Sequence, residues 1–430
     1  MSAPRKLPLR RWMLRLPPWL RLGAGVKRWL LLCVVGLALI ALGTALIAPQ
    51  GVRQVGFLTL VVTGMLLTAG GVAAFARNLV RQPVRDGGPV RQSFGDRLYA
   101  MNVLDRGPAV VALGGGSGLS SLLRGLRQIT ANITAIVTVA DDGGGSGMLR
   151  EDLGMLPPGD IRNCILALSQ AEPEMEKLLQ YRFHEGQLKG QNFGNLLLAA
   201  MADSAGGFLE GIRSVSDILN VQGRVLPVSL DDINLKARLT DGSVVDGESN
   251  IGMCQRTRGS RIERLWLDPA ACRPVPEALE AIERADLIVI GPGSLYTSLL
   301  PNLLVPGVAD AVRRSSALKV YVMNLMTQPG ETEGYGAPEH LEAIRAHCGG
   351  GLMDVVLANS NTDLPASERQ RYLDDDAQPV VCDRAAIEAL GFRVVESNLL
   401  RVSSGRVRHS YSGLAAALGG LLGEKNGRGR

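Results

Sequence analysis

The stretch that decides the fold reads VVALGGGSGLSSLLRGL over 110–126, ITAIVTVADDGGGSGMLREDLG over 133–154 and LPPGDIRNCILALS over 156–169. The first two segments each open with an apolar run rich in β-branched residues. Such runs are typical of strands that are buried on both faces. They predict strands at Val110–Leu113 and Ile133–Ala140.

A glycine turn follows each predicted strand. After the second strand, the turn includes the carboxylate pair Asp141 and Asp142, which suits Mg²⁺, a ribose hydroxyl or a polar substrate. A plain strand-to-helix connection stays open for the first turn, as does a turn-capping role for Asp141. The spacing matches neither the dinucleotide fingerprint nor the Walker loop. Because ligands of open α/β sheets bind at the carboxyl ends of strands, the two loops together predict a nucleotide or phosphate site. The first turn comprises Gly114, Gly115, Gly116, Ser117 and Gly118.

Two apolar runs near the N-terminus predict a membrane hairpin. Residues 1–28 carry eight basic groups and no acid, and uncharged runs follow at 29–48 and 55–76. Each run is long enough to cross a hydrocarbon core of about 30 Å. Arg53 is the one charge between them and arginines follow the second run, so both ends are expected in the cytoplasm. A cleaved signal peptide fits poorly, because the first run is too long and a second follows it.

This topology predicts a multi-pass protein of the inner (cytoplasmic) membrane, with a soluble domain that faces the cytoplasm beyond a linker at 77–107. The formal charge of +5 belongs to the N-terminal part, because residues 1–91 hold 13 of the 46 basic groups and one of the 41 acids. The remainder has 33 basic and 40 acidic groups, a balance of −7. With only 4% aromatic residues to stack on bases, nucleic acid is not an expected partner. The six cysteines form no Cys-x-x-Cys pair, which is typical of a reduced compartment.

The alternation of strands and helices continues to the end of the main domain, predicted at 108–412. Strands are predicted at Ala285–Ile290, Lys319–Asn324 and Val355–Ala358, with a helix over Pro338–His347. This rhythm predicts a Rossmann-like, doubly wound and mainly parallel sheet.

Two segments depart from that rhythm. Short strands around Asp241-Gly242 predict a small β-rich insertion at about 221–268. The glycine-rich tail, 413–430, is expected to be disordered after Leu418. The predicted helical histidines, His340 and His347, have no matching ligands and are expected to pack or to face solvent.

Five motifs together resemble those of the YvcK-type gluconeogenesis factors, in the CofD-like superfamily of 2-phospho-L-lactate transferase. The resemblance covers residues 108–411. The motifs are GGGSGLS at 114–120, TVADDGG at 138–144, LPPGDIRN at 156–163, GPGSLYTS at 291–298 and NLMTQPGET at 324–332.

The resemblance implies a Rossmann-like fold that binds a UDP-sugar, UDP-glucose or UDP-N-acetylglucosamine, and acts in cell shape and peptidoglycan growth on gluconeogenic carbon. Tyr372 and Arg408 match positions tied to nucleotide-sugar binding. An arginine can pair with a diphosphate, and a tyrosine ring can cover a base or a sugar. In the transferase branch, a phospholactyl group moves from a guanosine diphosphate donor to a deazaflavin precursor with Mg²⁺, and Asp141 and Asp142 match its metal-associated carboxylates.

Two departures bear on catalysis. Ser117 stands where threonine is commoner, which keeps a hydroxyl. Gln191-Asn192 replaces the family's usual His-Ser, so an acid–base role for that histidine would be lost here. The catalytic residues are therefore unknown.

The sequence predicts a regulatory protein that binds a UDP-sugar or another nucleotide, with a phospholactate transferase as the alternative. No cofactor is certain; Mg²⁺ at Asp141 and Asp142 is the candidate, and a homo-oligomer is expected. The predicted ligand-binding residues are Gly114, Gly115, Gly116, Ser117, Gly118, Asp141, Asp142, Asp160, Arg162, Asn163, Asn195, Gly291, Gly293, Ser294, Tyr296, Asn324, Thr327, Tyr372 and Arg408.

Overall fold

The computed structural model divides the chain into two compact units, Met1–Arg106 and Gly107–Arg430. The residues that the structure describes are 26–45, 54–80, 104, 107–253, 259–361, 363–403 and 405–428.

The first unit contains two helices packed against each other, α1 (Val26–Ala45) and α2 (Gln54–Val80). Their backbones approach at two glycines. A Cβ on Gly36 would lie 2.8 Å from the carbonyl oxygen of Gly64, and a Cβ on Gly64 would lie 2.6 Å from that of Gly36. Large apolar side chains point away from this contact, as Leu66 does with 69% exposure.

These two helices do not confirm the predicted pair of membrane spans. Among the described residues, no single helix has both the length and the apolar window that a span requires. The apolar helical segments there are Leu31–Leu42 and Leu58–Ala73. A bent pair of helices, Leu295–Leu304 and Val308–Arg314, has the apolar composition of a membrane span, but many of its residues lie in the core of the second unit.

The second unit is built on a seven-stranded parallel sheet, which confirms the predicted α/β class. Its strand order is β10-β9-β8-β7-β1-β2-β3. The strands are β1 (Val110–Gly114), β2 (Ile133–Val137), β3 (Arg224–Pro227), β7 (Leu287–Ile290), β8 (Leu318–Val322), β9 (Val355–Asn359) and β10 (Arg393–Ser397).

Alternation along the central strands explains why they read as continuous apolar runs. In β1, Val111 and Leu113 join the core on one face, whereas Val110 and Ala112 join the core on the other.

Helices cover both faces, as a parallel sheet requires. The helices are α3 (Gly116–Leu126), α4 (Gly144–Leu153), α5 (Gly159–Leu168), α6 (Pro173–Gln180), α7 (Phe193–Ala205), α8 (Phe208–Ile218), α9 (Glu248–Ile251), α10 (Pro276–Glu283), α11 (Leu300–Leu304), α12 (Val308–Arg314), α13 (Ala337–Cys348), α14 (Ala366–Asp374), α15 (Arg384–Ala389) and α16 (Tyr411–Arg428), with a π-helical turn at Leu295–Leu299.

Two small antiparallel sheets complete the unit. One has the order β5-β4-β6, and the other is the hairpin β11-β12. The first sheet begins later than the predicted insertion, because β3 pairs with β2 and so belongs to the main sheet. These strands are β4 (Asn234–Leu239), β5 (Val244–Asp246), β6 (Ile262–Asp268), β11 (Leu400–Ser403) and β12 (Arg406–His409).

The structure corrects three local predictions. The strand predicted to end at Ala140 ends at Val137, and the predicted turn at 114–118 is shorter because α3 begins at Gly116. The prediction of a disordered tail is wrong to residue 428, because α16 continues there. Leu418, Leu421 and Leu422 are buried, so the helix is held by apolar packing.

Candidate functional site

A cleft opens where the chain direction across the sheet reverses. From β1 the chain winds outward through β2 and β3, and from β7 it winds the other way through β8, β9 and β10. The loops that follow β1 and β7 therefore meet at the carboxyl edge of neighbouring strands. The cleft there has a volume of about 600 Å³ and is lined by both loops. Such switch points are where doubly wound sheets bind ligands.

The glycine loop is packed too closely for a side chain at two positions, Gly118 and Gly115. A Cβ on Gly118 would collide with the carbonyl oxygen of Pro292 and lie 2.8 Å from its carbonyl carbon. A Cβ on Gly115 would lie 2.6 Å from Oδ2 of Asp160 and 2.9 Å from Cγ2 of Thr138. Glycine is required at both positions for close packing.

Asp160 occupies part of the amino end of α3. Its Oδ2 accepts a hydrogen bond from Gly116 N at 2.7 Å. Burial, and next the negative charge of Asp141, raise the pKa of Asp160 to about 6. One N–H of the glycine loop is therefore directed at a protein carboxylate, and the helix amino end is only partly available to an outside anion.

Arg162 belongs to a polar network with two asparagine side chains. Its guanidinium donates to Asn195 Oδ1 at 2.8 Å and to Asn163 Oδ1 at 2.9 Å. Burial lowers its pKa to about 10. Asn192 Oδ1 accepts from Asn195 N at 3.2 Å and so caps α7. These side chains bond to one another and to the start of α7, and none of them lines the cleft.

Asp141 and Asp142 already hold protein groups. Asp141 Oδ1 accepts from Gly143 N at 2.9 Å, as in an Asx turn. Asp142 Oδ1 accepts from both the backbone N–H and the hydroxyl of Ser249, at 2.9 and 2.6 Å. Burial and the neighbouring Asp141 raise the pKa of Glu248 well above its ordinary value.

Within the described residues, no three His, Cys, Asp or Glu side chains are grouped so as to hold a metal ion. Mg²⁺ in proteins is often held by one or two carboxylates together with ligand phosphates. Asp141 and Asp142 fit Mg²⁺ in that manner only, since their carboxylates accept hydrogen bonds from the turn at Gly143 and from Ser249 of the insertion.

The loop after β7 is fixed by the buried carboxylate of Glu331. Ser294 Oγ donates to Glu331 Oε2 at 2.5 Å, and Thr297 Oγ1 donates to Ser294 Oγ at 2.6 Å. Burial raises the pKa of Glu331. Asn324 Oδ1, from the loop after β8, accepts from Gly293 N at 3.3 Å. The hydroxyl of Ser294 is thereby oriented at the cleft wall.

Strand β12 of the hairpin β11-β12 contributes Val407, Arg408 and His409 to the lining of the cleft. Tyr372, on α14, accepts the Val407 N–H on its hydroxyl at 2.9 Å, which ties α14 to β12. Arg408 follows on β12 and lines the cleft. His409 donates Nε2–H to Met323 O at 3.1 Å, and burial lowers its pKa to about 4, so it is neutral at pH 7.

The structure brings ten of the predicted residues to the cleft and places the other nine elsewhere. Tyr296 is buried, with its hydroxyl 3.0 Å from that of Tyr335, and packs in the core. The ten that line the cleft are Gly115, Gly116, Ser117, Gly118, Gly293, Ser294, Asn324, Thr327, Tyr372 and Arg408. The nine that do not are Gly114, Asp141, Asp142, Asp160, Arg162, Asn163, Asn195, Gly291 and Tyr296.

Two residues that support the site, Asn302 and Ser249, were not predicted from the sequence. Asn302 is fully buried and donates from Nδ2 to Gly114 O at 2.9 Å and to Ser298 O at 2.8 Å. It therefore ties the two loops together. A single amide within the apolar run LLPNLLV was the available signal. For Ser249 the sequence contained no such signal, because its partner Asp142 lies 107 residues away along the chain.

Comparison with known proteins agrees with this architecture. The family described as 2-phospho-L-lactate transferase CofD matches residues 110–400. A gluconeogenesis factor of Bacillus subtilis is 46% identical over 318 residues, which cover 74% of this chain and 99% of the relative. The chain belongs to the gluconeogenesis factor family, within the CofD superfamily.

Two further relatives extend this picture. The crystal structure of a UPF0052 family member from Bacillus halodurans is 47% identical, with a TM-score of 0.70, and covers 73% of this chain and 99% of that one. A relative from Clostridium acetobutylicum is 43% identical over 410 residues, which cover 93% of this chain and 90% of that one. Similarity to the Clostridium protein therefore extends beyond the sheet unit, into the first unit.

Proposed function

We propose that this protein binds a UDP-sugar in the cleft between β1 and β7 and acts as a regulator in cell shape and peptidoglycan control. One observation supports the proposal: Arg408 and Tyr372 line the same cleft as the glycine loop. The cleft volume of about 600 Å³ is within the usual range for small-molecule sites.

In this proposal the lining residues bind different parts of the ligand. Arg408 pairs with the diphosphate, for which a guanidinium fork is well suited. The ring of Tyr372 covers the base or the sugar, while its hydroxyl holds the backbone of β12. The amino end of α3, at Ser117 and Gly118, adds partial positive charge.

Binding is tested by titrating the purified full-length chain with UDP-N-acetylglucosamine, UDP-glucose, UDP and GDP in a calorimeter. Arg408→Ala should raise the dissociation constant of the UDP-sugar roughly 10- to 150-fold, since charged hydrogen bonds contribute about 1.5–3 kcal/mol. Arg314→Ala removes an exposed arginine at the end of α12 and is the matched control. Equal affinity in wild type and Arg408→Ala would reject the assignment.

A phospholactate transferase is the second candidate, favoured by the match to the CofD family. It predicts turnover of a guanosine-linked phospholactate with a deazaflavin acceptor, and loss of turnover in Asp142→Asn. The contacts of Asp142 with Ser249 favour a holding role instead. We therefore expect no turnover by wild type, and an effect of Asp142→Asn on affinity that does not depend on Mg²⁺.

We propose membrane attachment through α1 and α2. Glycines at the contact and exposed apolar side chains such as Leu31, Leu58 and Leu66 support it, because helices in lipid often pack through small residues. The protein should then resist carbonate extraction, and a reporter fused after Arg91 should be active in the cytoplasm. Reporter activity on the outer side would reject this topology.

The homo-oligomer and the regulatory role also stay predictions. Light scattering of the purified chain tests the first. For the second, a strain that carries Arg408→Ala should show the shape defect of a deletion strain on gluconeogenic carbon.

A further inference from the structure

A second pocket, of about 420 Å³, lies beside the cleft and shares Ser117, Ser121 and Arg408 with it. Its lining contains four arginines: Arg124, Arg401, Arg406 and Arg408. We call it the arginine pocket. No acidic residue is present among the described residues that line it.

Regular secondary structure produces this concentration of charge. Ser117, Ser121 and Arg124 lie at positions i, i+4 and i+7 of α3, so they share one face of the helix. On the hairpin, Arg401 pairs with Arg408 and Ser403 pairs with Arg406. Since alternate residues of a strand point to one face, the three hairpin arginines lie on the face that meets α3.

The arrangement is electrostatically unfavourable without an anion. Directly opposed like charges, such as Arg401 and Arg408, destabilise an antiparallel pair. Glu176 bonds to Arg124 at 2.5 Å, and none of the three hairpin arginines forms an ion pair with a residue that the structure describes. Arg401 Nε is buried and has no hydrogen-bond partner in the described part of the chain, while its guanidinium lies 4.2 Å from the centre of the Tyr411 ring.

We propose that the arginine pocket binds a phosphate group. Guanidinium forks match the geometry of phosphate oxygens, and serine hydroxyls can donate to the same group. The phosphate could come from the ligand of the cleft, because Arg408 belongs to both cavities, or from a separate phosphorylated molecule. The proposal does not depend on which nucleotide the cleft prefers.

The test uses the full-length chain and inorganic pyrophosphate, titrated in a calorimeter at constant ionic strength. Arg406→Ser changes an exposed hairpin arginine with little effect expected on packing. It should weaken pyrophosphate binding at least about tenfold, whereas Arg406→Lys should weaken it less. Arg314→Ser is the control and should stay within about twofold. Wild type that does not bind pyrophosphate, or Arg406→Ser that binds it as wild type does, would overturn the proposal.

A second titration separates the two sources. If pyrophosphate binds equally in the presence of saturating UDP-N-acetylglucosamine, the pocket serves a separate phosphorylated ligand. If the UDP-sugar displaces it, the pocket holds the phosphates of the cleft's own ligand. Pyrophosphate binding that depends on Arg406, in a chain that does not bind UDP-sugars, would uphold the pocket and reject the proposed function.

Discussion

Replacement of Asp160 by asparagine should change how the stability of the protein depends on pH. The pKa of Asp160 is about 6 in the folded chain and 3.8 as its ordinary value. Between these pH values the folded chain holds a proton that the unfolded chain has lost. Raising the pH through this window therefore destabilises wild type, by about 1.4 kcal/mol per pH unit and about 3 kcal/mol in all.

Asp160→Asn removes this titration, and the introduced carboxamide can still accept from Gly116 N. The free energy of unfolding of the variant, minus that of wild type, should rise by about 3 kcal/mol between pH 4 and 6 and then level off. Urea unfolding followed by circular dichroism measures both curves. All other groups titrate in both proteins and largely cancel in the subtraction.

His409→Gln provides a comparison of opposite sign. The pKa of His409 falls from 6.5 to about 4 on folding, so wild type loses stability as the pH falls through this range. The same difference for His409→Gln should therefore fall by about 3 kcal/mol as the pH rises from 4 to 6.5. A flat difference curve for Asp160→Asn, or one that falls with pH, would refute the reasoning about the buried carboxylate.

Substitutions at three positions, Gly118, Asn302 and Tyr372, test the architecture of the cleft. Gly118→Ala should destabilise the protein by about 1–3 kcal/mol, because the added methyl group collides with Pro292. Its control, Gly420→Ala, lies in open space on α16 and should stabilise the protein by up to about 1 kcal/mol. Urea unfolding measures the free energy of both variants, and equal changes would contradict the close approach at Gly118. Asn302→Ala should cost about 1–2 kcal/mol in the same assay, because two buried hydrogen bonds are lost. Tyr372→Phe keeps the ring but not the hydroxyl that holds Val407, so calorimetry should show UDP-sugar affinity reduced roughly 2- to 10-fold, less than in Tyr372→Ala.

The main sheet could be predicted because its signal is local. Apolar runs such as Val110–Leu113 and Val355–Ala358 stand apart from their glycine-rich or helical surroundings, and both are strands. The tail contained a readable signal as well. Leu414, Leu418, Leu421 and Leu422 have helical spacing, but the glycines between them favoured disorder.

The parts that could not be predicted depend on distant partners. Nothing near β3 indicates that it pairs with β2 instead of joining the insertion. Tyr296 follows a glycine turn with hydroxyls on both sides, and only the tertiary fold places its ring against Tyr335 in the core. The two roles of a carboxylate, ligand contact or internal hydrogen bond, have the same sequence pattern, as Asp142 illustrates.

The central position of β1 has a consequence for folding during synthesis on the ribosome. Asp286, just before β7, bonds to Ala109 across 177 residues of chain, so β1 keeps an unpaired edge until the second half has been made. At about 5–20 residues per second, this interval lasts roughly 10 to 35 seconds. During that time an apolar edge is exposed to pairing with other nascent chains, and a chaperone that shields it should raise the yield of folded protein.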